Sequence, residues 1–96
     1  MGRIIRTKQA RNDVLDIWEY IASDNATAAD KLIRRLDEVV RLPSEQPEVG
    51  SPQNKYRVGL RCMPVGNYLI FYDQIPGAIR VLRILHGARG WEDLIS

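Results

Sequence analysis

Residues 56–72 read Tyr56-Arg57-Val58-Gly59-Leu60-Arg61-Cys62-Met63-Pro64-Val65-Gly66-Asn67-Tyr68-Leu69-Ile70-Phe71-Tyr72. Tyr56, Val58, Leu60 and Cys62 alternate with Arg57, Gly59, Arg61 and Met63, the two-residue period of a strand with one covered face. Pro64-Val65-Gly66-Asn67 is a turn signal, and the apolar run Tyr68–Tyr72 is a second strand. Ile75-Pro76-Gly77 marks the next turn, and Ile79 to Leu85 the last strand. Strands joined by turns this short pair antiparallel.

Upstream the period is that of a helix. Arg3 to Arg6 is a short edge strand around Ile4 and Ile5, and Thr7 caps the helix after it. Val14, Ile17, Trp18 and Ile21 fall on one helix face, which places Trp18 in the core. Ser23-Asp24-Asn25 breaks this helix. A second begins near Asn25 or Thr27, carries the apolar stripe Ala29, Leu32, Ile33, Leu36, Val39 and Val40, and stops by about Leu42 before Pro43. A turn this short folds the two helices into an antiparallel hairpin. Residues 43–55, with Pro43, Pro47, Gly50 and Pro52, read as a long loop. The expected fold class is α+β in the order β-α-α-β-β-β, a single domain over residues 1–96. The helical hairpin covers one face of a small antiparallel sheet and the other face stays open; Trp91 to Ile95 has the makings of a short C-terminal helical turn.

Composition excludes several classes. The apolar share of 45% and the charged share of 27% are those of a globular domain, not of a disordered chain. One cysteine, Cys62, and one histidine, His86, cannot make an internal disulfide or a zinc site. The longest apolar run, Tyr68 to Tyr72, is far short of a membrane span, and the N-terminus lacks the apolar segment of a signal peptide. The expectation is a soluble cytoplasmic protein with no cofactor and no membrane partner.

The net charge of +2 conceals an asymmetry. Residues 1–48 carry 8 basic and 9 acidic residues, net −1, whereas Lys55 to Arg89 holds six basic residues and one acid, net +5. Arg57 and Arg61, four apart on the expected strand, project from one face roughly 13 Å apart. Arg80 and Arg83, three apart, point to opposite faces. Arginine favours bidentate recognition of carboxylate or phosphate, and equally serves to solvate an exposed sheet face. His86 either titrates near neutral pH or is a hydrogen-bonded structural residue. Trp91, Leu94 and Ile95 either dock on their own sheet or order on a partner. Arg57, Arg61, Arg83, His86, Arg89, Trp91, Leu94 and Ile95 are therefore the candidate partner-contacting residues. No metal ligand set, nucleophilic triad or phosphate loop can be assembled, and no catalytic residue is assigned.

Three segments resemble the ParE branch of the RelE/ParE toxin superfamily of bacterial type II toxin–antitoxin systems: Val14-Leu15-Asp16-Ile17-Trp18-Glu19-Tyr20-Ile21-Ala22; Gly59-Leu60-Arg61 with Pro64 to Tyr72; and Arg83-Ile84-Leu85-His86-Gly87-Ala88-Arg89. The resemblance implies the same β-α-α-β-β-β order. It implies a protein that inhibits DNA gyrase by trapping it with cleaved DNA, without catalysis of its own. It also implies a cognate antitoxin that folds over the toxin and represses the operon through its own DNA-binding half, the toxin alone not binding DNA. The candidate partner-contacting residues then become candidates for contact with the target or the antitoxin. RelE-like members are instead ribosome-dependent mRNA endonucleases. Arg89 matches their arginine after the last strand, but Leu69 stands at their strand arginine, Lys55 is the region's single lysine, and no tyrosine follows Tyr72. Arginine stabilises phosphate charge yet is a poor general acid or base at neutral pH. The expected function is therefore a ParE-like toxin, with a RelE-like nuclease or a non-toxic relic that binds antitoxin as the alternatives.

Overall fold

Two side-chain caps set the helical hairpin. Thr7 Oγ1 accepts the Ala10 amide at the start of α1 (Lys8–Ala22), and Asn25 Oδ1 accepts that of Ala28 at the start of α2 (Ala26–Val39). In the computed structural model, which describes residues 2–95, these helices follow β1 (Arg3–Arg6). A short α3 (Arg41–Glu45) comes next, then a 3-10 turn at Pro47–Val49 and a two-residue β2 (Ser51–Pro52). The chain then forms β3 (Arg61–Val65), β4 (Tyr68–Ile75), β5 (Ala78–His86) and a terminal α4 (Glu92–Ile95). The sheet order is β1-β5-β4-β3-β2. The three long strands pair antiparallel as expected, and β1 lies at the edge, parallel to β5. No helix among the described residues is long and apolar enough to cross a membrane.

The β3–β4 hairpin turns on Gly66-Asn67, with φ of +56° at Gly66, a left-handed first position that glycine adopts without strain. Opposite Phe71 and Tyr72, β5 carries one extra residue, Leu82, in a bulge: Phe71 pairs with Arg83 and Tyr72 with Val81. The bulge shifts the alternation by one. Ile79, Val81 and Ile84 all join Ala10, Ile17, Leu36, Val40, Ile70 and Tyr72 under the helices, whereas Leu82 and Leu85 turn to the other face.

That other face is not open. Leu60, Cys62, Phe71, Leu85 and Ile95 form a second buried cluster, flanked by Tyr56, Leu69, Leu82 and Trp91. Its cover is the segment before β3 and the C-terminal tail. The Trp91 ring lies 5.1 Å from Phe71 and 5.2 Å, edge-on, from Tyr56. Three further expectations are corrected. Tyr56 to Leu60 is a loop, because Gly59 takes φ +83° and the strand begins only at Arg61. Trp18 is 38% exposed rather than core; it bridges the two helices by donating its indole N–H to Asp30 at 2.8 Å. Pro43 does not end the helical course: α2 stops at Val39 and Pro43 sits in the first turn of α3, where a missing N–H is tolerated.

Residues 47–50 are tied down as well. The buried Tyr72 hydroxyl donates to the Pro47 carbonyl (2.8 Å) and accepts the Gly50 amide (2.9 Å). A Cβ on Gly50 would lie 2.6 Å from that hydroxyl, so the close approach requires glycine. Tyr72→Phe leaves both backbone groups without this partner; the expected cost is about 1–3 kcal/mol in urea denaturation. Cys62 gives a pH-dependent expectation. Burial pushes its thiol from the ordinary 9.0 to about 11. The folded state therefore holds the proton more tightly than the unfolded one. The corresponding stability is intact below pH 9 and is lost as pH rises toward 11. Wild-type protein should lose more stability than Cys62→Ala between pH 8 and pH 10.5, by on the order of 1–2 kcal/mol in equilibrium unfolding.

Candidate functional site

One open groove of about 690 Å³ runs between α1 and the far end of the sheet. Asp16, Ile17 and Tyr20 form its helix wall; Tyr68, Ile84, His86, Arg89 and Leu94 supply its sheet and tail side. The groove exists because α1 lies along β5 while the β4–β5 ladder continues to Tyr68 and His86. Those two residues are a cross-strand pair whose rings meet edge-on at 5.1 Å. The His86 Nδ1 accepts the Ala88 amide at 3.1 Å, which leaves the proton of the neutral imidazole on Nε2. Burial raises the Tyr68 phenol above its usual pKa, Tyr20 adds to that shift and Arg89 opposes it. Tyr20, 79% exposed, and Leu94, 48% exposed, are the apolar parts of the rim that water still reaches.

The helix wall is locked to the sheet at one point. Asp13 on α1 receives both Arg83 Nε (2.8 Å) and Nη2 (3.0 Å) and also the Ile84 backbone amide (2.9 Å). Both side chains are largely out of water, and hydrogen bonding to Asp13 raises the Arg83 pKa. Such bidentate, charge-assisted pairs fix position as well as energy.

Of the six cations between Lys55 and Arg89, three are occupied internally. Arg83 is bound to Asp13 and Arg80 to Asp73 (2.6 and 3.0 Å), and Arg61 donates to the carbonyls of Glu48 (2.9 Å) and Gly50 (2.7 Å). Arg57 and Arg61 therefore do not form a pair on one strand face: Arg57 lies in the loop and Arg61 holds the 3-10 turn. Lys55, Arg57 and Arg89 have no ion-pair partner among the described residues. Of the sequence-predicted residues, the groove brings together Arg83, His86, Arg89 and Leu94. Arg57 stands apart, and Trp91 and Ile95 are committed to the second core. Asp16, Tyr20 and Tyr68 were not predicted for this site. Their signal was present for Tyr20, an aromatic residue off the apolar stripe of its helix.

Comparison with known proteins decides the family. The profile described as ParE toxin of type II toxin–antitoxin system, parDE, matches residues 4–91. The chain belongs to the ParE toxin family. Two relatives from Caulobacter vibrioides are similar to it: Toxin ParE1, 27% identical over 83% of both chains, and Toxin ParE3, 28% identical over 91% of this chain and 88% of that one. A solved structure described as the chromosomal ParDE toxin–antitoxin system from P. aeruginosa shares the fold, with a TM-score of 0.75 at 19% identity, covering 90% of this chain and 96% of that one. As a ParE toxin the chain is one half of a type II toxin–antitoxin system. The α+β architecture described above is therefore shared with that structure over most of both chains.

Proposed function

We propose that this ParE-family toxin arrests growth by binding and inhibiting DNA gyrase, and that a cognate antitoxin neutralises it by laying a folding-on-binding segment in the groove between α1 and the end of β5. The family match over residues 4–91 carries this reading. The groove's chemistry supports the second half. Its lining is apolar and aromatic in Ile17, Ile84 and Tyr68, the helix wall carries Asp16 and the sheet and tail side Arg89. An amphipathic segment with anchors for that lining and charges for both sides is the ligand such a concavity suits. The groove's polar groups hold and orient; the arginine fixed by Asp13 is not free to serve as an acid or base.

The test uses the isolated chain. In a supercoiling assay gyrase should be inhibited, while mRNA in a translating extract should remain intact. Cut mRNA with unaffected gyrase overturns the reading in favour of a RelE-like nuclease. Folded protein with neither effect overturns it in favour of a relic.

A further inference from the structure

The loop between β2 and β3 is built as a knob. Residues 53–60, Gln-Asn-Lys-Tyr-Arg-Val-Gly-Leu, carry two cations and no acid. Its neck is closed by the Gln53 amide on the Leu60 carbonyl at 2.8 Å, and Asn54 Oδ1 ties it again by accepting the Gly59 amide at 2.9 Å. Its base is anchored in the second core, where Leu60 is 1% exposed and the Tyr56 ring packs on Trp91. The whole loop is thereby held in one shape while its apex holds Val58 in water at 90% exposure. Lys55 and Arg57 flank that apex, both exposed and both without an acidic partner among the described residues.

Lys55 Nζ lies over the Tyr56 ring, 5.1 Å from its centroid, which fixes the cation without neutralising it. A β-branched apolar residue on a hydrogen-bonded loop, beside two cations that no carboxylate neutralises, is a pre-organised anchor. We infer that Lys55, Arg57 and Val58 form the contact by which this toxin engages its target, an acidic patch on a folded protein with an apolar recess that receives Val58. The shape selects the partner. A convex knob needs a concave acceptor, which a folded protein has and an unfolded antitoxin segment does not. Knob-to-knob pairing of two copies is disfavoured, because it would bring like charges together. The placement is also independent of the groove. None of Lys55, Arg57 and Val58 lines the groove, although Leu85 borders both the groove and the core on which the knob rests. The inference rests on the reading of the chain as a toxin with a target distinct from its antitoxin, and it assigns those two partners to different surfaces.

The experiment compares Val58→Asp and the double variant Lys55→Glu, Arg57→Glu with wild type in three readouts: growth arrest on induction, gyrase inhibition, and affinity for the cognate antitoxin. Val58→Ile serves as the conservative control. Growth arrest should be lost in both altered chains and kept in Val58→Ile, the concentration giving half-inhibition of gyrase should rise about tenfold or more, and antitoxin affinity should stay within about twofold. Retained antitoxin affinity also shows that the variants fold. Growth arrest equal to wild type in both altered chains overturns the inference, as does an equal loss of antitoxin binding. If wild type arrests growth without touching gyrase, the gyrase reading fails, and loss of arrest in the altered chains still supports the knob. A wild-type chain that does not arrest growth overturns both.

Discussion

Asp13→Ala is expected to destabilise the protein by about 3–5 kcal/mol. The carboxylate satisfies three donors at once: two from Arg83 and the Ile84 amide. Its removal leaves a guanidinium that is only 19% exposed without its counter-charge, and a buried amide without its acceptor. Domains of this size are stable by about 5–15 kcal/mol, so a chain near the lower end of that range would keep only about 0–2 kcal/mol. Urea denaturation monitored by far-UV circular dichroism gives the number. Arg83→Met should cost less, since Asp13 keeps the Ile84 amide, and the double variant Asp13→Leu, Arg83→Met should recover part of the loss. A single-variant cost below about 1 kcal/mol would mean that the pair does not hold α1 on β5.

The second large effect is on binding. Tyr20→Ala combined with Arg89→Glu should weaken cognate antitoxin binding by about 100-fold while leaving the unfolding midpoint nearly unchanged. Tyr20 is the most exposed aromatic residue on the groove rim, and Arg89 is the groove's one cation without an internal partner among the described residues. An exposed tyrosine and an unpaired arginine contribute little to the free fold, so their loss should register in the complex alone. Calorimetric titration of the antitoxin into each variant measures it. An unchanged affinity removes the groove from the antitoxin interface and leaves the family assignment untouched.

Much of this architecture is legible in the chain. Thr7 and Asn25 mark both helix starts, the apolar stripes mark the faces, and Gly66-Asn67 and Pro76-Gly77 mark the two hairpins. Period-two alternation misleads at Tyr56 to Leu60, because the apolar residues that anchor a loop into a core repeat like those of a strand. The sign against a strand there was Gly59, whose positive φ a strand does not use. The bulge at Leu82 is foreshadowed by the broken alternation Ile79, Val81, Ile84, Leu85. Pairing between remote residues is another matter. Nothing local links Asp13 to Arg83, 70 positions away, or Arg61 to the carbonyls of Glu48 and Gly50, so a count of charges overstated the free basic surface.

The same limit shaped the site. Charge and exposure picked out Arg57, His86, Arg89 and Leu94, which remain available to a partner. They could not show that Trp91 and Ile95 close the second face of the sheet, because that depends on Phe71 and Tyr56 meeting the tail from two other segments. A tail of that kind is a balance between backbone entropy and a few buried side chains, and here two aromatic contacts tip it toward docking.

The decisive trial of the proposed function is a titration of purified toxin into a gyrase supercoiling reaction, followed by addition of cognate antitoxin. Supercoiling should be lost with accumulation of cleaved DNA, and should recover once antitoxin reaches equivalence with toxin. Full supercoiling at saturating folded toxin, or inhibition that the antitoxin does not relieve, would refute the proposal.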